Sequence, residues 1–382
     1  NREFWAGEPP APEPPRFGPD AVTEEVGELI EREFADHPGV LDLEALPATA
    51  RDAEAAWRWA LEECMEAFGP YEDAMSRRSR TLFHTRISPL LNLHRLLPER
   101  VVEEVAELEV PINSKEGFVR QVLGWREFMR HVHRETDGFR QLPEEFRAGD
   151  ERLPDESPVS EEPGSGGWER WSGEEWESSA GSGGEEPDGG AAPNYLGAQE
   201  PVYPAFWGEP SGMECLDRVV EGVWEEGWSH HITRLMVLSN IATLLGVEPR
   251  ELTDWFWVAY VDAFDWVVEP NVLGMGSFAV AELFTTKPYV SGSNYIDKMS
   301  DFCEECRFDP KENCPIKAMY WAFLADNEEE LADVPRMGMM MASMRRRSAG
   351  RKAEDRRIRE WVRRRLRDGE ELRPDEYAEF AD

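Results

Sequence analysis

Three cysteines fall close together: Cys303-Glu-Glu-Cys306, seven further residues, then Cys314-Pro315. A Cys-x-x-Cys step puts two sulfurs on one side of a tight turn. A third thiol so near suits one metal centre better than a disulfide. A fourth ligand must come from elsewhere; Cys215, in a helical stretch, is the first candidate and Cys64 the other. Spacing alone leaves iron–sulfur, structural zinc and plain buried thiols open, although Pro after a ligand Cys recurs in iron–sulfur proteins.

A second group is His230-His231 in EGWSHHITRLM, which reads as helix. Adjacent helical side chains point about 100° apart, so one imidazole can face a pocket while the other faces a wall. Imidazole is the natural proton donor near neutral pH; the plainer reading is a structural pair. Arg234 follows one turn after His230, and Asp262 or Asp265 could pair with it. Burying such a pair is costly unless it organises something polar, such as a ligand. In HTRIS (84–88), Thr85 and Ser88 flank Arg86 as a weak anion site. The usual nucleotide loops, Gly-x-Gly-x-x-Gly and Gly-x-x-x-x-Gly-Lys-Ser/Thr, are missing. Of 15 tryptophans, Trp255, Trp257 and Trp266 cluster. Most belong to an aromatic core, yet a spaced set can also carry electrons to a buried cofactor.

The elements that must position these groups are helical. Val26, Leu29, Ile30 and Phe34 recur at helical spacing after a Pro-rich, extended lead-in over 1–19. Amphipathic stretches follow at 51–68, 99–108 and 115–133, then at 212–226, 229–245, 249–264, 277–285, 292–302 and 314–329, with loops near 266–276 and 286–292. No strand alternation is evident in the first 140 residues, so the class is all-α. Across 151–190, nine Gly, seven Ser and four Pro accompany twelve acids and two bases. The segment 151–195 is expected to be a flexible acidic insertion between two helical parts, 20–150 and 196–330. Its Trp168, Trp171 and Trp176 could dock on a partner. Residues 331–382 form a basic helix and an acidic tail.

The 382 residues carry 78 acids and 42 bases, a net charge of −36, with only six Lys. The average surface cannot bind nucleic acid at that balance. An acid-rich, Lys-poor surface suits a protein kept soluble in strong salt. The stretch 345–367 is the local exception, with twelve bases against three acids. It is either a nucleic-acid contact or a solvated helix paired with acidic surface. No apolar run is long enough to span a membrane, no secretory leader is visible, and five cysteines fit a reducing, cytoplasmic setting.

Seven collinear blocks resemble the iron–sulfur bacterial branch of the cryptochrome/photolyase family, the prokaryotic (6-4) photolyases. They are FGPYEDAM (68–75), LFHTRISPLLNL (82–93), EGFVRQVLGWREFMR (116–130), SHHITRLMVLSN (229–240), YVDAFDWVVEPNVLGM (260–275), KPYVSGSNYIDKMSDFCEECRFDPK (287–311) and CPIKAMYWAFLADN (314–327). The resemblance implies a helical FAD-binding domain and selects a [4Fe–4S] cluster on Cys215, Cys303, Cys306 and Cys314. Tyr71, Thr85, Arg86 and Ser88 would line the FAD phosphates. Gln121, Trp125 and Arg126 would lie along the cofactor. Arg234 paired with Asp262 would bracket the ring system, with Asn240 and Asn271 nearby. His230 and His231 match the lesion-facing pair, Tyr289 and Tyr295 the aromatic positions around it, and Trp255 and Trp207 the electron-transfer chain; Phe256 sits where the family can place Tyr.

The implied activity is light-driven repair of (6-4) photoproducts in UV-damaged DNA. The family places an α/β domain with an antenna chromophore, a lumazine in this branch, ahead of the helical part. Nothing here reads as that domain, so the chain is expected to be a truncated product or half of a split gene with a separately encoded α/β half, to lack the antenna and to be a monomer. Two further departures stand out. The acid before Pro270-Asn271 is Glu269, displaced by one position, and GSFAVAE (276–282) replaces an Ala-Asp-Gly-Gly ending. Two alternatives stay open: a cryptochrome-like photoreceptor without repair, and a non-photochemical iron–sulfur module that binds nucleic acid.

Overall fold

A computed structural model describes residues 3–142 and 189–381. Most of the acidic segment, with Trp168, Trp171 and Trp176, lies outside the described residues. Helix starts are written in local chemistry. Asp20 accepts from the Thr23 amide to open α1 (Ala21–Glu33). Thr49 and Asp52 form a reciprocal capping box ahead of α2 (Ala50–Trp59). A π-helical turn, Ala60–Cys64, joins α2 to α3 (Met65–Tyr71). The short α4 (Ser88–Asn92) and then α5 (Pro98–Glu107) follow. Then α6 (Ile112–Val119) passes through a π turn at Arg120–Arg126 into α7 (Glu127–Thr136).

The second part begins with α8 (Glu214–Glu226), closed by Gly227 in the left-handed conformation. The short α9 (His231–Thr233) runs through a π turn, Arg234–Ser239, into α10 (Asn240–Leu245). Next come α11 (Pro249–Ala259) and α12 (Asp265–Glu269), the latter extended by a π turn over Pro270–Gly276. The remaining helices are α13 (Ser293–Met299), α14 (Phe302–Glu305), α15 (Pro315–Asp326), α16 (Glu328–Leu331), α17 (Gly338–Arg345), α18 (Ala349–Arg367) and α19 (Pro374–Ala381). Extended pairing among the described residues comes as isolated bridges, such as Met75 with Ser300 and Glu200 with Val247. The all-α expectation holds.

Three local expectations fail, each for a visible reason. The stretch 266–276 is helical, because a widened turn tolerates the missing amide hydrogen of Pro270. The stretch 277–285 holds only a 3-10 turn at Ala281–Leu283, since Phe278 and Ala281 both adopt positive φ. The helix expected over 229–245 starts late, so His230 is extended, with ψ of 162°. The two histidines therefore do not diverge as helical neighbours would.

The large core joins α8 to α15 and α18, and includes Trp255, Phe206, Leu238, Met319 and Trp361. A second core holds Trp57, Phe68, Phe118 and Leu96. Burying each such side chain stabilises the fold by about 1.5–3 kcal/mol. The N-terminal lead-in is extended as expected and docked: Trp5 is buried against Ala67, Ala74, Leu82 and Phe83.

The basic stretch becomes α18, packed on α15 through Ile358, Trp361, Val362 and Leu366. Its arginines are largely engaged. Arg347 pairs with Asp355, Arg356 and Arg359 with Asp326, Arg365 with Glu370 and Glu376, and Arg367 with Glu200. The ion-paired reading of this helix is the one the structure favours, not a bare cationic surface. No helix among the described residues is long and apolar enough to cross a membrane.

Candidate functional site

Two π turns carry several of the candidate residues: Gln121, Trp125 and Arg126 on one, Arg234 at the head of another. A widened turn rotates the side chains that follow it, and such turns are common at functional sites. Arg234 forms two parallel bonds to Asp262, both 2.9 Å, and its Nε donates to the Ser229 carbonyl at 2.8 Å. Its guanidinium lies 4.0 Å from the centre of the Tyr260 ring. Burial pulls its pKa down, but Asp262 and Tyr260 outweigh that and the net shift is upward. Ser88 donates to Asp262 at 2.5 Å, and Asn92 caps the Asp262 carbonyl at 2.9 Å. Asp262, not Asp265, is thus the partner; Asp265 instead accepts from Trp257.

Beside this pair sits an imidazole cluster. His84 and His230 are parallel, their ring centres 4.4 Å apart, and His231 meets His84 edge-on at 5.3 Å. His84 and His230 are buried, and His84 Nε2 and His230 Nδ1 have no hydrogen-bond partner. Burial, then the neighbouring imidazoles, pushes His84 well below the usual histidine pKa; burial, then His231, does the same to His230. His231 is partly exposed, with Nε2 3.8 Å from Asp73. Sequence reading named His230 and His231 but passed over His84, which lies directly before Thr85.

The other candidates are variously engaged. Arg86 adopts a positive φ of 55°, rare for such a residue. It bonds Glu226 at 2.5 Å and stacks on Trp228; Thr85 is buried beside it. The Tyr71 hydroxyl donates to the Glu8 carbonyl, and its ring stacks on Phe83. Gln121 donates to Glu72. Arg126 stacks on Trp266, and its Nε is buried without a partner. Trp125 is exposed and meets Phe128. Asn240 joins both ends of its carboxamide to the Ser291 backbone, fixing the segment that carries Tyr289. Asn271 bonds its own helix at Val267. Tyr289 lies near Lys287, and Tyr295 is half-buried against the large core.

Cys215, Cys303, Cys306 and Cys314 line one cavity with Met213, Ile296, Phe302 and Phe308. Three helices bring them there: Cys215 lies in α8, Cys303 in α14 with Cys306 as its C-cap, and Cys314 is the N-cap of α15. Burial raises the Cys215 thiol pKa, followed by Cys314, Cys306 and Cys303 as near neighbours. Cys64 lies apart, its thiol against the His84 carbonyl. Among the described residues, no three His, Cys, Asp or Glu side chains are set to hold a single metal ion.

Aromatic rings lead outward from the Arg234 pair. Tyr260 contacts Trp255 at 6.2 Å, Trp255 contacts Trp224 at 6.2 Å, and Trp224 stacks on Trp207 at 5.5 Å. Trp224 and Tyr260 were not singled out from sequence, where no spacing links them to Trp207 and Trp255.

Glu269, the displaced acid, is buried in a different network. It meets Arg250 at 3.2 Å and His133 at 3.3 Å, while Arg250 also pairs with Asp254 at 2.7 Å.

Residues 1–45 match the family model described as deoxyribodipyrimidine photo-lyase-related protein. A (6-4) photolyase of Agrobacterium fabrum is 33% identical over 347 residues, covering 88% of this chain and 58% of that protein. An uncharacterized protein of Acanthamoeba polyphaga mimivirus is 34% identical over 95 residues, 25% of this chain and 74% of the relative. A bacterial class III photolyase structure from Agrobacterium tumefaciens aligns with a TM-score of 0.43 and 13% identity, covering 95% of this chain and 59% of that one. The chain therefore spans 58% of the length of the curated (6-4) photolyase that it matches.

Proposed function

We propose, for a chain that belongs to the prokaryotic photolyase-related family, that it binds FAD beside Arg234 and Asp262 and repairs (6-4) photoproducts in UV-damaged DNA by light-driven electron transfer. The observation that carries this reading is the bidentate Arg234–Asp262 pair, its carboxylate buried and its guanidinium half-buried, adjoining the stacked imidazoles. A buried ion pair is weak as a stabiliser and needs another reason to be there.

The residues fit a flavin. Arg126 Nε is a buried donor without a partner, suited to an anionic or carbonyl oxygen. Arg234 offers a fixed cation whose charge is secured by Asp262. Bound FAD supplies the light-driven electron, while the protein supplies binding, orientation and electrostatics. Thr85, Arg86 and Ser88 would hold the phosphate side, with Tyr71, Gln121, Trp125, Asn240 and Asn271 bordering the cofactor.

Proton handling divides within the histidine cluster. Burial keeps the His84 and His230 rings neutral at pH 7. His231 is the partly exposed ring of the three, its Nε2 3.8 Å from Asp73, and is the one a bound lesion would reach. The neutral His230 fixes its orientation and keeps water from that side. A flipped lesion would rest between this cluster, Tyr289 and Tyr295, since an extruded base needs aromatic walls.

Four thiols converging on one cavity suit a [4Fe–4S] cluster. A mononuclear zinc site would draw at least three donors onto one point. The antenna lumazine would belong to an α/β half and not to these residues. An anaerobic visible spectrum of the purified chain in strong salt, before and after blue light with reductant, tests the reading. Flavin bands that bleach over a broad cluster absorbance support it. Cluster absorbance without flavin overturns it and leaves an iron–sulfur module.

A further inference from the structure

We propose that the short stretch Glu370–Leu372, between α18 and α19, is a brace that holds the cysteine cavity at the spacing a [4Fe–4S] cluster needs. The inference rests on the cluster reading above, and it makes Arg307 and Glu371 positioning residues for that site. Cys215 and Cys306 reach the cavity from elements far apart in sequence. The brace joins the chain beside one to the chain beside the other.

On the Cys215 side, the Leu372 amide donates to the Ser211 carbonyl at 2.9 Å, and the Leu372 side chain is buried. Gly212 lies so close that a Cβ there would collide with the Leu372 carbonyl oxygen, and its φ of +83° also calls for glycine. The contact carries into α8. The Ser211 and Gly212 amides donate to the Asp217 carboxylate at 2.8 and 3.1 Å. The Ser211 hydroxyl accepts at 3.0 Å from the amide of Met213, a residue of the cavity wall. Cys215 stands between Met213 and Asp217, so the brace grips the turn that presents it.

On the Cys306 side, Arg307 pairs with Glu371 at 2.8 Å. Arg307 lies between Cys306 and Phe308, both in the cavity wall. The brace is anchored from behind by α18, where Arg365 donates to the Glu371 carbonyl at 3.2 Å and pairs with Glu370 and Glu376. The Arg307 and Glu371 side chains are 45% and 32% exposed. An ion pair this open adds little to the stability of a whole chain, so its effect is local. It sets where the backbone leaves Cys306, and groups that orient the ligands of a metal site tune its affinity.

The test follows the visible cluster absorbance of the anaerobically purified full chain after addition of excess iron chelator. Arg307→Glu and Glu371→Arg each break the pair and set like charges face to face. Each should lose the cluster about fivefold faster than the unsubstituted chain. The double variant, Arg307→Glu with Glu371→Arg, restores an ion pair of reversed sense and should return to the unsubstituted rate. Arg345→Glu is the control, because its pair with Glu328 is comparably exposed but lies beyond the end of α15 remote from Cys314. It should leave the rate unchanged. Denaturant midpoints of the cluster-free chains should agree between the unsubstituted protein and both single variants, which separates ligand placement from general stability. Cluster loss at the unsubstituted rate in the single variants, a double variant as fast as they are, or midpoints that fall in step with cluster loss overturns the brace. An unsubstituted chain that binds no iron overturns the cluster reading and the brace with it, and is recognised earlier, before any variant is compared.

Discussion

The imidazole of His84 lies parallel to that of His230, 5° between their planes and 4.4 Å between their centres, with neither ring open to solvent. Two such rings cannot both be charged, and burial holds each of them neutral. The stack has a thermodynamic signature. In the unfolded chain both titrate near 6.5, whereas their folded pKa values are depressed. Below 6.5 the unfolded state binds more protons, so stability is present in full above that pH and is lost as pH falls toward the folded values. Each histidine contributes a limiting slope of about 1.4 kcal/mol per pH unit. Denaturant melts from pH 7.5 to 5 should show this fall, and His84→Phe should flatten it relative to the unsubstituted chain. Equal slopes in the two proteins would count against a neutral buried stack.

Asp262→Ala should be strongly destabilising, because it leaves the half-buried Arg234 guanidinium without its carboxylate. A loss of about 3–5 kcal/mol is expected from denaturant unfolding of the flavin-free chain. Ser88→Ala removes one bond to the same carboxylate and should lose about 1.5–3 kcal/mol. If Asp262→Ala unfolds at the unsubstituted midpoint, the pair does not hold the fold as described.

Cys215→Ser should abolish or severely deplete bound iron in anaerobically purified protein, while Cys64→Ser retains it. The contrast follows from placement, since Cys215 shares a cavity with the other three thiols and Cys64 does not. Iron and sulfide assays decide the matter, and equal iron in both variants would remove the cluster from this site.

Arg250→Met leaves Asp254 and Glu269 buried without their shared cation. Burial already lifts the Asp254 carboxyl to about 6, with Arg250 opposing the rise. The variant should lose about 3–5 kcal/mol near pH 7.5. It should recover part of that on acidification, as the Asp254 carboxyl takes up a proton. A loss that does not change with pH would rule out this account.

Much of this was legible in the sequence. Helical periodicity gave the class, the seven motif blocks gave Arg234, Asp262 and three of the cysteines, and Cys215 was the first candidate for the fourth from its helical stretch. What escaped was fixed by tertiary contact. Tyr260 and Trp224 matter through rings they meet from other elements, and nothing in their local spacing announces that. His84 was hidden inside a motif read for its hydroxyls. The helix over 265–276 was missed because Pro270 signals a break, and a widened turn absorbs it. The basic stretch was ambiguous because its ion partners, Asp326 and Glu200, lie far off in sequence.

The Arg250–Glu269 pair also grips the chain on either side of the acidic segment. A Cβ at Gly138 would come 2.6 Å from Glu269 Oε2, and one at Gly190 would come 2.7 Å from Arg250 Nη1. The two stems of the segment thus meet at a single buried ion pair. A side chain at residue 138 and one at residue 190 would therefore press on the same pair, so that a defect on one stem would be felt on the other.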